Sequence, residues 1–477
     1  MTFNSLSYFI FLPLVFLVFY VTKDRSRWVV LLAASYGFYA TFKAPELLLA
    51  LVLVTVISFT CGTQLSRTTN ESRRKLILWM GITLCILILA VIKYLPLLVN
   101  TQPSTSIFVS IGVSYFTFQA ISYLADIFLE IQDPEHHLGY HALYLAFFPK
   151  LLQGPIERAH ALLPQLKQPY RFDYDSMRYG ILLFTWGLFK KVVVADRLAL
   201  YTNTVYGDVH SYHGLAVIIG TYAYALQIYF DFAGYTDMAR GTAKMFGINL
   251  SENFNKPYLA TSVADFWRRW HISFSSWILD YIFKPLQMAW RDRGHFGTSL
   301  ALIVTFLVSG IWHGASLGFI IWGGLHGAYL ASSTYYRPYQ RRLHKWLKID
   351  KSGLLRAWQV FVTFNLVSFA WIFFRAKSVS DACDLIRNII DFDNSHNIQQ
   401  ITFGKYLKDN IFLGHGDHNF IVTVSVLTII LTVNWLKSRC NIYKYNLAVR
   451  WSIYYILVIS IVLFGVFKGD SFVYFKF

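Results

Sequence analysis

"GIWHGASLGFIIWGGLHG" runs from Gly310 to Gly327. The stretch is almost wholly apolar, yet it holds His313 and His326, each followed by a glycine. An ionisable group among lipid-like residues is costly unless it is paired or wetted, and it marks a functional site by default. Imidazole is also the side chain best matched to proton transfer near neutral pH. The plainer reading is a histidine packed between helices and hydrogen-bonded to a carbonyl or a tyrosine. Gly310, Gly314 and Gly318 allow a backbone or a substrate to come close, though helix packing alone also explains them.

Working outward, the chain has 477 residues, of which 55% are hydrophobic, 18% aromatic and 14% charged. Its mean hydropathy is +0.43. A soluble domain carries about a quarter charged residues, so these values point to an all-α, polytopic integral membrane protein. Apolar runs that fit membrane helices lie near 7–22, 28–43, 46–62, 76–97, 106–130, 177–199, 214–236, 299–313, 317–335, 355–374, 419–437 and 448–467. That implies about 11–13 membrane helices in one membrane domain covering 1–477. The piece "HALYLAFFPKLLQGPI" (141–156) is short and broken by Pro149 and Pro155, which fits a re-entrant segment. The N-terminus lacks a basic region and a small-residue cleavage site, so it reads as a first retained span.

The net charge of +17 sits in short loops between apolar runs, such as "KDRSR" (23–27), "SRRK" (72–75), "RPYQRRLHKWLK" (337–348) and "KSRCNIYK" (437–444). Charge placed in this way marks cytoplasmic loops facing anionic lipid, and it argues against nucleic acid as a partner. The N-terminus is then outside. The long polar stretch 376–418 is also extracytoplasmic, either a plain surface loop or a docking site for a partner. Span 299–313 is only about 15 residues, roughly 22 Å, so His313 is expected at depth, facing a cavity. Cys61, Cys85, Cys383 and Cys440 are scattered and support neither a disulfide framework nor a metal site.

Between Tyr229 and Leu286 the sequence mixes charge with aromatics as no lipid-facing helix would, and Asp231, Asp265, Arg268, Arg269 and His271 fall inside it. Phe266, Trp270, Phe274, Trp277 and Tyr281 recur at helical spacing, which predicts an amphipathic helix over 265–281. Thr261 or Ser262 would cap it, with Asp265 as the acid of a capping box. Arg268 and Arg269 are either interfacial anchors or ligands for an anionic donor such as a coenzyme A phosphate. The histidines lack the ligand spacing of a zinc site, and no metal is expected. There is no phosphate-binding loop and no dinucleotide fingerprint.

Four motifs in order carry a resemblance: "FFPKLLQGPIERA" (147–159), "YFDFAGYTDMARG" (229–241), "FWRRWHISFSSWILDYIF" (266–283) and the opening stretch. Together they resemble the membrane-bound O-acyltransferases. The branch resembled is the bacterial one that includes the alginate O-acetylation membrane subunit, peptidoglycan O-acetyltransferases and the D-alanyl transfer protein for teichoic acids. The likeness is densest from about 140 to 330. It implies many helices around a central funnel or tunnel. It implies that His313 takes the family's invariant histidine position. His271 falls where the family has its other polar active-site residue, often Asn or Asp in eukaryotic members and His in this branch. Trp312, His326, Asp231, Arg268 and Arg269 are the candidate substrate-binding residues.

The implied activity is acyl transfer with no bound cofactor. Acetyl would pass from a cytoplasmic thioester, acetyl-CoA, toward an extracytoplasmic polysaccharide, with a periplasmic or surface transferase or export protein as partner. The implied location is a bacterial plasma (inner) membrane. D-alanyl transfer to teichoic acid and a transporter without acyl chemistry are the alternatives.

Overall fold

The computed structural model describes residues 1–98, 112–391, 403–437, 447–467 and 472. Among them the regular structure is helical, and the one β feature is an isolated antiparallel bridge between Phe254 and Trp270. In chain order the α-helices are α1 (Leu6–Val21), α2 (Arg27–Ala40), α3 (Pro45–Arg67), α4 (Glu71–Leu98), α5 (Val113–Phe128), α6 (Leu138–Ala146), α7 (Ala159–Lys167), α8 (Tyr174–Phe189), α9 (Asp196–Gly207) and α10 (Leu215–Met245). They continue with α11 (Val263–Trp267), α12 (Ile272–Ile278), α13 (Lys284–Ala289), α14 (Gly294–His313), α15 (Leu317–Trp346), α16 (Gly353–Arg375), α17 (Val379–Ile390), α18 (Phe403–Asn410), α19 (Gly416–Lys437) and α20 (Leu447–Phe464).

Several apolar runs open on residues suited to a helix start. Ser5 caps α1, Pro45 opens α3, and Ser316, Ser352 and Ser378 cap α15, α16 and α17. Pro45–Arg67, Glu71–Tyr94, Leu215–Met245, Arg291–His313, Gly353–Arg375 and Leu447–Phe464 are long and apolar enough to cross a membrane, and Leu6–Val21 and Gly416–Ile430 are shorter apolar helices. The chain is thus an all-α, multi-pass membrane protein, as the sequence predicts. Every expected span coincides with helix where it is described; residues 106–111 of one span, the basic residues 438–444 and Cys440 lie outside the described residues.

Three expectations change. Helix α14 begins at Gly294 and has 20 residues, roughly 30 Å, so it is not short. Hydropathy measured its apolar length, while the helix itself continues through "GHFGT" (294–298). The amphipathic helix over 265–281 is instead two helices, α11 and α12, because His271 takes left-handed backbone (φ 44°, ψ 54°) between them. Ser262 still caps α11, accepting the Asp265 amide at 3.1 Å, and Asp265 accepts the Thr261 amide at 3.2 Å. The polar stretch 376–418 is no plain loop, since it contains α17 and α18, with 392–402 outside the described residues.

The chain forms two compact units, residues 1–188 with 234–253, and residues 189–233 with 254–470. In the first, α6 ends at Ala146 and the chain runs without regular helix, buried, through Phe147–Ile156. This is the broken segment expected at Pro149 and Pro155. Its polar groups are absorbed locally. Lys150 Nζ donates to Gln119 Oε1 at 2.6 Å, and Glu157 accepts from the amide and hydroxyl of Ser251 at 2.6 and 3.0 Å. Burial pushes the Lys150 ammonium down to about 7 and raises the Glu157 carboxyl.

In the second unit α14 and α15 are joined by Gly314–Ser316 and run antiparallel. They meet through their backbones. A side chain at Gly310 would collide with the carbonyl oxygen of Phe319, and one at Gly323 with that of Phe306. At Gly327 a Cβ would lie 2.9 Å from the Cα of Ile303. We expect Gly323→Ala to force the pair apart at a cost of about 1–3 kcal/mol, read as a lower melting temperature of the detergent-solubilised protein. Gly324→Ala, where the nearest atom to a new Cβ is 3.8 Å away, is the control expected to melt as wild type.

Candidate active site

His313 is the last residue of α14, buried beneath aromatic rings. Ring centroids of Trp312, Phe374, Trp322, Phe319 and Phe274 lie 4.4, 4.9, 5.1, 6.1 and 6.4 Å away. His271 is 1% exposed. Its left-handed turn is held by the Phe254–Trp270 bridge, by the Asn255 amide on Arg269 O at 2.9 Å and by the Ser275 amide on the His271 carbonyl at 2.8 Å. Phe232 of α10 meets the imidazole edge-on at 4.7 Å, and Phe274 of α12 stacks on it at 5.1 Å. Phe274 is therefore the ring that both histidines touch. Burial pushes the His271 imidazole down to about 3, so it is neutral at physiological pH.

His326, fully buried, lies behind this pair. Its Nδ1 accepts from the indole N–H of Trp267 at 3.2 Å, which places the proton of the neutral ring on Nε2. Trp322, one helical turn earlier, contacts both His326 and His313 at 5.1 Å. Trp312 stacks on Phe274 at 4.4 Å. The structure thus gathers His313, His271, His326 and Trp312 into one aromatic cluster.

The other candidates sit apart from it. Asp231 is 1% exposed and accepts from Lys191 Nζ at 2.7 Å, and Lys191 also donates to Asp196 at 2.8 Å. Lys191 lies in a π-helical turn (190–195) between α8 and α9, the kind of bulge that is common at functional sites. The triad fixes α10 one residue before Phe232, the ring against His271. Arg269 pairs with Asp265 at 3.0 Å, while Arg268 is exposed on a separate cavity. Among the described residues no three His, Cys, Asp or Glu side chains are grouped to hold a metal ion.

Lys191, Phe274, Trp322 and Phe374 are not among the residues that the sequence singles out. For Lys191 the signal is present, since "FKKVVVADR" (189–197) puts four charged residues inside an expected span. Phe274 stands in the aromatic stripe, with nothing in its spacing to mark it as the ring shared by two histidines.

Two buried histidines packed against one ring, in an all-α membrane protein, mark the candidate site. The profile of the membrane-bound O-acyltransferase family matches residues 35–375, and the chain belongs to that family. It is 35% identical over 401 residues to a probable alginate O-acetylase of Pseudomonas aeruginosa, covering 80% of this chain and 74% of that one. It is 29% identical over 492 residues to a peptidoglycan O-acetyltransferase of Helicobacter pylori, covering 92% and 89%. With a teichoic acid D-alanyltransferase of Bacillus subtilis it shares 28% identity over 298 residues, covering 60% and 74%. The protein is an acyltransferase.

Because Lys191 balances two buried carboxylates, Lys191→Met is expected to strand them, at about 3–5 kcal/mol. The check is the thermal unfolding of the purified variant, which should fall well below that of the surface variant Lys345→Met.

Proposed function

We propose that this acyltransferase moves an acetyl group from acetyl-CoA on the cytoplasmic side toward hydroxyls of an extracytoplasmic polysaccharide, in a bacterial inner membrane, with a second transferase or an export protein completing delivery. The observation that carries the reading is the pair of buried histidines, His313 and His271, both packed against Phe274. Support for acetyl comes from the relatives: those named for O-acetylation of alginate and of peptidoglycan cover more of this chain than the one named for D-alanyl transfer.

In this reading the acceptor hydroxyl attacks the thioester carbonyl while His313 takes its proton. A neutral imidazole is the form able to do so. The C–S bond then breaks, and the thiolate leaves with the proton held by His313. His271, held rigid by its backbone turn and neutral by burial, orients the acceptor or donates to the carbonyl oxygen as charge builds on it. The aromatic wall excludes water that would otherwise hydrolyse the thioester. Trp322 and His326 hold the ring of His313 from behind.

The test is ester-linked acetate on isolated surface polysaccharides from cells expressing wild type, His313→Ala or His271→Ala at equal membrane levels. Loss of one general base typically costs about 10²–10⁴-fold, so acetate is expected to fall to background with His313→Ala and steeply with His271→Ala. Unchanged acetate in the His313 variant overturns the proposal. D-alanyl ester in place of acetate moves the substrate class to the teichoic-acid reading.

A further inference from the structure

A cavity of about 530 Å³ opens in the second unit on a side of α11 and α12 that the acyl-transfer chemistry does not use. The volume lies within the range of sites that hold a small molecule. Its walls are Ile272, Leu279, Phe283, Leu302, Phe306 and Leu330, and Arg268 lines it beside them.

The polar groups on the wall decide what fits. Ser275, Ser276 and Thr305 line the cavity, but their hydroxyls donate to the carbonyls of Trp270, Ser273 and Ala301 at 2.8, 2.9 and 2.7 Å. The indole N–H of Trp267, also on the wall, is given to His326. A pantetheine arm carries two amide carbonyls that would find no free hydroxyl or indole donor on this wall, which is unfavourable. A hydrocarbon chain needs none. Arg268 is the remaining polar group on the wall. Its neighbour Arg269 is held by Asp265, and Arg268 has no carboxylate within ion-pair distance among the described residues. An exposed guanidinium at the edge of an apolar cavity suits an amphiphile with an anionic head, and its planar fork matches phosphate.

We propose that this cavity holds one acyl chain of an anionic phospholipid, with the lipid phosphate on Arg268. The assignment is independent of the acetyl-transfer reading. It also gives the lipid a route to the site: the chain packs against Trp267, whose N–H fixes the tautomer of His326, and His326 reaches His313 through Trp322. The bilayer is then a ligand of the enzyme as well as its solvent.

The test is lipid retention by the purified full-length protein in detergent, measured by native mass spectrometry with dioleoyl phosphatidylglycerol as probe. Dioleoyl phosphatidylcholine, oleate and coenzyme A are the competing arms. Wild type is expected to keep phosphatidylglycerol in preference to phosphatidylcholine. Arg268→Gln, an exposed change that leaves the packing alone, should weaken phosphatidylglycerol about tenfold, the loss of one charge-assisted contact, while phosphatidylcholine is unaffected. Leu302→Trp, which fills the cavity, should release both lipids. Equal retention in wild type and Arg268→Gln overturns the proposal. Displacement of phosphatidylglycerol by coenzyme A overturns it in favour of a donor site, and displacement by oleate in favour of a fatty-acid site. None of these readouts requires acyl transfer, so their failure is separate from any failure of the acetate assay.

Discussion

The backbone packing of α14 against α15 is the constraint on which the second unit depends. At Gly310, Gly323 and Gly327 there is no space for a methyl group, so the two helices meet in one register. In a membrane, apolar side chains gain little by leaving lipid, and close backbone packing of this kind replaces the hydrophobic drive as the source of association. The register then decides the chemistry. It sets Trp322 beside His313 and His326 one turn beyond it, and it presents the end of α14 to Phe374 of α16. If the pair were held apart by side chains, the imidazole would have no fixed wall behind it.

The surroundings of the histidines are nearly all carbon. Low polarity makes every nearby dipole count for more, and burial disfavours the charged form of the His271 imidazole. Among the described residues, formal charge lies beside this cluster, at Lys191 and Asp231. Lys191, in a π-helical turn, pairs with Asp196 of α9 and Asp231 of α10. That set anchors α10 next to where Phe232 meets His271.

Much of this was legible in the sequence. Apolar length located the helices, and two prolines located the break after α6, because both signals are local. A histidine inside "GIWHG" stood out as a candidate for the same reason. What could not be read depends on backbone angle or on the meeting of distant segments. The aromatic stripe from Phe266 to Tyr281 has helical spacing, yet the chain turns at His271, and no periodicity records a left-handed residue. Asp231 and Lys191 are 40 positions apart, and only the fold reveals that they meet. The start of α14 was misplaced because glycine and histidine lower hydropathy without ending a helix.

The backbone at His271 has a consequence for which amino acids the site can use. Left-handed φ strains most side chains, and the non-glycine residues that tolerate it best are Asn, Asp and His. These are also the residues the family resemblance allows at this position. The alphabet available at position 271 is therefore limited by geometry before any chemistry selects from it. A Gln or a Glu, with the same functional group on a longer arm, would have to unbend the turn between α11 and α12 before it could act.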